Sequence, residues 1–216
     1  MHAPNRSTST FGLVIGALAL AASSVTCGGG SGSGTCGVQP CGGDPTGNWT
    51  AKSACVDQAT LNMEFLGSIA SDCPTASLSN AKYTPTGTLT FGADMSYTAA
   101  VTMGISFNMN LPASCLSGQS CTTVNAAIQS IVGTDGITSA TCTGSGSCTC
   151  TIVGTVDVEA SSGTWASAGT MLTLNATSGG NGDSGPYCVQ GSSLHLLSVD
   201  MSMAMVKVTG DIVFSK

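Results

Sequence analysis

The chain has 216 residues, of which 42% are hydrophobic, 7% charged and 5% aromatic, and its formal net charge is -6. Five Lys and Arg residues leave no cationic surface to neutralise phosphates, so the composition excludes a nucleic-acid partner. High hydrophobic content with low charge also excludes intrinsic disorder, and a surface of Ser, Thr, Asn and Gly with so few charges is typical of an extracytoplasmic β protein.

Residues 1–26 have the layout of a secretory signal peptide. Arg6 lies in its amino-terminal region, and the apolar run FGLVIGALALAA follows over 11–22. This run is shorter than the roughly 20 residues that a transmembrane helix needs. We therefore predict a signal peptide over 1–26 that is removed after export.

Cys27 follows this signal and precedes GGGSGSG, a layout similar to the cleavage cysteine and flexible tether of bacterial lipoproteins. The resemblance implies that an acylated Cys27 is the first mature residue and that its lipid holds the protein to a membrane. Residues 24–26 (SVT) depart from the usual lipobox, so cleavage after Ala19 or Ala21 is the alternative. Cysteine parity favours lipidation, because ten of the 11 cysteines then remain, an even number that can pair in an oxidising compartment.

The mature chain divides into a tether and one domain. Residues 27–43 are mostly Gly, Ser and Cys, which predicts a tether that Cys36 and Cys41 hold down. We predict one domain over 44–216, long enough to bury a core. Since no second apolar run approaches 20 residues, the lipid is the expected membrane attachment, and we expect a monomer.

Apolar residues of the domain recur mainly with period two between turn signals, which predicts strands. Trp49, Ala51, Ser53 and Cys55 share one face of the first strand. Further strands are predicted at 84–92, 95–103, 105–111, 137–143, 148–159, 163–175, 187–190, 193–199, 201–208 and 211–215, and helices at 58–70 and 122–132.

So many short strands, joined by Gly-centred turns, predict an all-β fold. An up-and-down antiparallel β-barrel with one or two short helical segments, pinned by disulfides, is the expected architecture, because a meander with short connections is the simplest way to join the strands. A cysteine-pinned β-sandwich is the alternative.

Several segments carry a resemblance to a family. Gly47 and Trp49 form a Gly-x-Trp opening of the first strand, and Tyr187 to Leu194 reads as a Tyr-x-Val-x-Gly-x-x-Leu hairpin. With the meander, they resemble a lipocalin-like lipoprotein, a calycin-type β-barrel. The segments CGGDPTGNWTAKSAC (41–55), LPASC (111–115), CTC (148–150) and YCV (187–189) are similar to cysteine-rich lipocalin-like lipoproteins of Gram-negative bacteria, over most of 41–216.

This resemblance implies where the protein lies in the cell and how one end of the barrel is closed, but it implies no activity. In lipocalins the tryptophan of the motif closes the barrel floor and packs against a basic residue of a late strand. The mature chain has no arginine, so the basic residue that packs against the tryptophan would be Lys207 or Lys216. The implied location is the cell envelope of a Gram-negative bacterium, lipid-anchored in the outer membrane or at the cell surface, and a secreted protein is the alternative.

Ten cysteines exported to an oxidising compartment predict five disulfides. Local bridges are expected for Cys36 with Cys41, Cys55 with Cys73, and Cys115 with Cys121. Two further bridges would come from Cys142, Cys148, Cys150 and Cys188. A thiolate metal site at Cys142, Cys148 and Cys150 is the alternative for those three, but zinc sites usually need Cys-x2-Cys spacing, so we expect no metal and no cofactor.

GDSGP at 182–186 resembles the segment around the catalytic serine of chymotrypsin-like proteases, which would make Ser184 a nucleophile. That mechanism needs a histidine base within hydrogen-bond reach. The one mature histidine, His195, follows the serine, whereas the family places its histidine well before it. We therefore predict an exposed turn at GDSGP, no enzyme activity, and a solvated or hydrogen-bonded His195.

Methionines alternate on two strands and are expected on an inner barrel face. We expect ligand-lining side chains at Met103, Phe107, Met109, Met201, Met203 and Met205. Such an interior would suit a small apolar molecule, so the first hypothesis is a non-catalytic binding protein of the envelope. The second is a structural or interaction protein of the cell surface with a filled barrel and no ligand.

Overall fold

The structure is a computed structural model, and it describes residues 37–56, 58–67, 72–134, 136–178, 183–203 and 206–216. Strands dominate, as the sequence predicts. They are β1 (Gly47–Val56), β2 (Ser77–Phe91), β3 (Ser96–Leu111), β4 (Ile137–Thr143), β5 (Cys148–Ala168), β6 (Met171–Ser178), β7 (Asp183–Gln190), β8 (Ser193–Met203) and β9 (Val206–Ser215). Two helices, α1 (Gln58–Gly67) and α2 (Cys121–Gln129), and a short 3-10 helix at Ala113–Cys115 complete the described elements.

Eight of the strands form a closed ring. The sheet order is β3-β2-β1-β9-β8-β7-β6-β5-β4, and an additional pairing of β3 with β5 joins the two sides. All pairings are antiparallel, and each ring strand pairs with the next ring strand in the chain, apart from β9, which returns to β1. The predicted all-β, up-and-down antiparallel arrangement is therefore confirmed. The strand β4 lies outside the ring, on the first part of β5.

Several strands are longer than their sequence patterns suggest. The predicted strands 95–103 and 105–111 are one strand, β3, because Gly104 stays in register between Thr84 of β2 and Thr155 of β5. β2 begins seven residues before the predicted position 84. β5 continues without a break to Ala168, so the predicted boundary between strands 148–159 and 163–175 is wrong. The turn to β6 lies instead at Gly169, whose φ of 60° favours glycine.

The carboxyl-terminal strands also differ from prediction. β8 runs on to Met203, and β9 begins at Val206, whereas the sequence pattern placed breaks near 200 and 209. β7 begins at Asp183, so Ser184 and Pro186 of the GDSGP segment belong to a strand and not to the predicted turn. Pairing with β6 supports this segment, since Leu174 lies opposite Asp183 and Met171 opposite Pro186.

One hydrophobic core fills much of the ring. It contains the buried side chains of Trp49, Phe91, Tyr97, Phe107 and Phe214 together with aliphatic residues of every ring strand. Alternation along β3 places its buried residues on the inner face, the arrangement expected of a half-buried strand. The helix α1 contributes the buried Leu61 and contacts β2 and β9.

The second helix packs against the strand outside the ring. Ser120 caps α2, because its hydroxyl accepts the backbone N–H of Thr123 at 3.2 Å. Asn125 of this helix accepts the backbone N–H of Cys142 at 2.8 Å, which covers the outer edge of β4. Neither helix nor any other helix in the described ranges is both long and apolar enough to cross a membrane.

Four disulfides lie within the described residues, and three of them join cysteines that are at least 27 positions apart. The four are Cys41–Cys188, Cys73–Cys115, Cys121–Cys148 and Cys142–Cys150. Cys55 is disulfide-bonded as well. The predicted local bridges of Cys36 with Cys41, Cys55 with Cys73, and Cys115 with Cys121 are wrong, because strand pairing brings together cysteines that are remote in sequence. The alternative of a thiolate metal site is also wrong, since Cys142, Cys148 and Cys150 are all in disulfides.

Each bridge fixes a junction of the fold. Cys142 and Cys150 are directly opposite each other in β4 and β5. Cys121 begins α2 and is bonded to the first residue of β5. Cys41 is bonded to Cys188 of β7, and Gly42 forms a parallel bridge with the same cysteine. The packed structure therefore begins before Asp44, where the tether was expected to end, while Cys27 and Cys36 lie outside the described residues.

The two bridges with the largest and the smallest loops should differ in their effect on stability. Cys41–Cys188 spans 147 residues and Cys142–Cys150 spans 8. We expect the double substitution Cys41→Ala/Cys188→Ala to lower the free energy of unfolding by about 4 to 5 kcal/mol, and Cys142→Ala/Cys150→Ala to lower it by about 2.5 kcal/mol, because loop-closure entropy grows with loop length. Urea unfolding of the two variants and the wild type measures this difference. Equal losses would contradict the loop-entropy account.

Candidate functional site

A cavity of about 500 Å³ lies inside the ring. Residues of seven strands line it, mostly with aliphatic side chains. They are Leu89 of β2; Tyr97, Ala99 and Val101 of β3; Ser161 of β5; Leu172 and Leu174 of β6; Asp183, Gly185 and Pro186 of β7; Leu196, Leu197, Val199 and Asp200 of β8; and Ile212 and Phe214 of β9. Small-molecule sites have volumes of roughly 300 to 1,000 Å³ and a mainly apolar lining.

The cavity exists because small residues occupy inner positions of the ring. Ala99 of β3 and Gly185 of β7 leave space where larger side chains stand elsewhere. Further along β3, the side chains of Met103 and Phe107 are almost completely buried and fill the ring. The interior is therefore packed along one stretch of β3 and open along another.

Two hydroxyl groups lie within the apolar wall. The hydroxyls of Tyr97 and Ser161 are 3.3 Å apart and form a hydrogen bond, in which either can donate. Both side chains are more than nine-tenths buried. They stand on adjacent strands, since Tyr97 pairs with Gly163 of β5 and Ser161 with Ala99 of β3. This pair is a neutral polar point among aliphatic side chains of the cavity wall.

On one side the ring has a seam, formed by residues 183–186 of β7 and 197–200 of β8. The ladder between these two strands has four pairs, from Gln190 with Ser193 to Tyr187 with Leu196, and it ends there. Residues 183–186 remain paired with β6. The exposed Asp183 and Asp200 lie on the two sides of the seam and line the cavity, so the cavity meets solvent at this point.

The sequence explains why the ladder stops. Tyr187 donates its N–H to Thr170 on the β6 side, so the neighbouring Pro186 faces β8, and proline has no N–H to offer there. In β8, Ser198 has a φ of 57° and donates its N–H to the carboxylate of Asp211 at 3.0 Å. The register with β9 shifts at the same place, between Leu196 and Val199. This bulge in β8 therefore lies where the ladder with β7 ends.

Carboxylates are the charged groups of the cavity wall. Asp183 accepts the backbone N–H of Ser184 at 2.7 Å, and Asp200 accepts the hydroxyl of Thr209 at 3.3 Å. Among the described residues, no Lys, Arg or His lines the cavity. The solvent-facing edge of the cavity is therefore acidic, and its interior is neutral.

The Gly-x-Trp segment forms a compact cluster at the start of β1. Trp49 is completely buried, and its indole N–H donates to the carbonyl of Pro45 at 2.6 Å. The ammonium of Lys216 lies 4.6 Å from the centre of the Trp49 ring, a cation–π contact. Gly47 makes room for it, because a Cβ there would lie 2.9 Å from Cε of Lys216 and the φ is 132°. Of the two lysines that the sequence offered for this contact, Lys216 makes it.

His195 is buried, so of its two expected states, solvated or hydrogen-bonded, the solvated one is wrong. It lies opposite Cys188 of β7 and Val213 of β9. Its Nδ1 has no hydrogen-bond partner among the described residues. Burial lowers the pKa of the imidazole below its ordinary value, and the nearby carboxylate of Asp211 opposes this shift in part.

The protease-like serine makes a different contact from the one that catalysis requires. Ser184 is exposed, and its hydroxyl forms a hydrogen bond with the hydroxyl of Thr173 at 3.1 Å. A catalytic serine would instead be hydrogen-bonded to its histidine base. Among the described residues, no group of three or more His, Cys, Asp or Glu side chains could hold a metal ion.

Three of the side chains that the sequence suggests as ligand-lining are described, and they lie in the core. Met103, Phe107 and Met109 are buried in the core, whereas Tyr97, Ala99 and Val101 of the same strand line the cavity. Met201 and Met203 belong to β8, and Met205 lies outside the described residues.

Sequence reasoning missed the polar pair and the seam. Tyr97 and Ser161 are 64 positions apart, and only the β3–β5 pairing, which skips β4, brings them together. Pro186 next to an apolar alternating segment was the one available signal for the seam, since a proline inside a strand marks an edge or a bulge.

The chain matches no protein-family model, no curated protein and no solved structure.

The lowered pKa of His195 makes stability depend on pH. Because the folded chain binds the proton less readily than the unfolded chain, the free energy of unfolding should be fully retained above pH 7 and should fall as the pH drops below the ordinary histidine value of 6.5. We expect a His195→Gln variant to lose less stability than the wild type between pH 7.5 and pH 5. Urea unfolding of both proteins at the two pH values measures this. Equal losses would show that protonation of His195 is not coupled to unfolding.

Proposed function

We propose that the protein is a non-catalytic, lipid-anchored protein of the cell envelope that binds a small apolar molecule inside its ring of strands. The observation that carries this proposal is the cavity, whose volume of about 500 Å³ and aliphatic lining suit a small ligand. Burial of an apolar molecule there would be favourable by about 25 cal/mol per Å² of surface removed from water. The opening at the seam gives such a molecule a route to the interior.

A lipocalin-like architecture is part of the proposal. Two features support it besides the closed antiparallel ring. Trp49 is buried at the start of the first ring strand, and a basic residue that follows a late strand, Lys216, lies over its ring. The resemblance described above implies this same contact.

The proposed location is the envelope of a Gram-negative bacterium, with attachment through a lipid on Cys27. The disulfides support an oxidising compartment, because such bonds form and persist outside the cytosol. The anchor itself is supported by the sequence of residues 1–27, which the structure does not describe.

The absence of catalysis is likewise a proposal. It is supported by the hydrogen bond of Ser184 with Thr173 and by the burial of His195 among strands β7, β8 and β9. The competing function is a structural protein whose ring is filled and takes no ligand. The close packing of Met103 and Phe107 in one part of the ring favours that alternative.

Filling the cavity should abolish binding of an apolar probe. Ala99 points into the cavity, and its neighbour Ala100 is exposed on the opposite face of β3, so the same substitution can be made on both sides. We expect Ala99→Phe to weaken binding of the neutral fluorophore N-phenyl-1-naphthylamine by about tenfold or more, a cost of roughly 1.4 kcal/mol, and Ala100→Phe to leave it unchanged. Fluorescence titration gives both affinities.

The result separates the two functions. If the wild type does not bind the fluorophore, or if both variants bind it as the wild type does, the binding proposal is overturned in favour of a ring without a ligand. Circular dichroism spectra that match the wild type would establish that each variant is folded.

The anchor has its own test. The mass spectrum of the protein extracted from its native membranes should show a chain that begins at Cys27, carries acyl groups and lacks the hydrogens of its disulfide-bonded thiols. Reduction and alkylation provide the control, because they add mass at each released thiol and leave the acyl groups in place. An unlipidated chain that begins near residue 20 would contradict the anchor and leave the cavity proposal standing.

A further inference from the structure

We infer that the ligand of the cavity carries one neutral hydrogen-bonding group, such as the hydroxyl of an alcohol or phenol or the carbonyl of a ketone, and that Tyr97 and Ser161 bind this group. The inference rests on the proposed binding function and narrows the class of ligand. Its basis is the pair of hydroxyl groups in the cavity wall. Apolar packing of the ring does not by itself require a hydroxyl group at either of these positions.

The two hydroxyls do not satisfy each other. Each has one O–H to donate and two lone pairs that accept. In the bond between them one hydroxyl donates, so the hydrogen of the other still needs an acceptor. Among the described residues, neither side chain has another hydrogen bond. Because both side chains are more than nine-tenths buried and both line the cavity, a group bound inside the cavity can supply the missing partner.

The other lining residues determine the rest of the ligand. Leu89, Leu172 and Ile212 are examples of the aliphatic side chains of the cavity wall. The described lining residues include no cationic side chain, and Asp183 and Asp200 give the seam a negative charge. An anionic group such as a fatty-acid carboxylate would lose its water without gaining a counter-charge. A neutral polar group on an apolar body fits this wall.

A matched pair of probes tests the inference. Naphthalene and 2-naphthol have the same apolar body, and 2-naphthol adds a hydroxyl that is neutral at pH 7. In a cavity without a partner for it, the hydroxyl would weaken binding, because it loses its hydrogen bonds to water. With Tyr97 and Ser161 as partners, we expect 2-naphthol to bind about tenfold more tightly than naphthalene. Isothermal titration calorimetry on the wild type measures both affinities.

The variants locate the polar contact. We expect the preference for 2-naphthol to be lost in Tyr97→Phe and reduced in Ser161→Ala, while the affinity for naphthalene changes less than twofold in each. Tyr83→Phe is the matched control. Tyr83 also has a buried hydroxyl, without a hydrogen-bond partner among the described residues, but it does not line the cavity. Its removal should leave the preference as in the wild type.

Two failures can be told apart. If the wild type binds naphthalene at least as tightly as 2-naphthol, or if the preference survives in both Tyr97→Phe and Ser161→Ala, the inference is overturned and the proposed apolar binding stands. If neither probe binds the wild type, the binding function fails and the inference fails with it. Ser161→Ala removes a single oxygen, so it keeps the test decisive if Tyr97→Phe does not fold.

Discussion

Two long-range pairings hold the structure together, because they turn a meander of strands into a ring. β1 pairs with β9, and β3 pairs with β5 across the intervening α2 and β4. Without either pairing, the inner faces of the strands would not surround a common interior. The aliphatic wall of the cavity, the Tyr97–Ser161 pair and the contact of Lys216 with Trp49 all depend on that enclosure.

The ring is closed by hydrogen bonds over most of its circumference, and its one described seam follows from two local features. Pro186 cannot donate a hydrogen bond toward β8, and Ser198 turns its own N–H to Asp211. Access to the interior is therefore a consequence of backbone chemistry at the side of the ring. Asp183 and Asp200 then keep this opening hydrated, which an aliphatic edge would not do.

The sequence predicts the fold class well and the site poorly. Period-two alternation is a local signal, so it identifies strands such as β4, and Trp49 with Gly47 marks the first strand of the fold. The same pattern divides β3 at Gly104, because a single sequence does not show that both neighbouring strands hold this glycine in register. The bridges of Cys41 and Cys73 were misassigned for the same reason. Whether an inner position leaves space, as at Ala99, depends on all the strands around it.

The closure of the ring also governs the order in which the chain can fold. Thr50 of β1 and Ser215 of β9 are paired although they are 165 residues apart, so β1 must wait for nearly all of the domain to be synthesised before it meets its partner. During that interval the outer edges of β1 and of β8 are open ladders with few charged residues to keep other strands away. High contact order makes this interval long. Unfinished chains that meet during this interval can therefore pair at these edges, until β9 arrives and removes both of them.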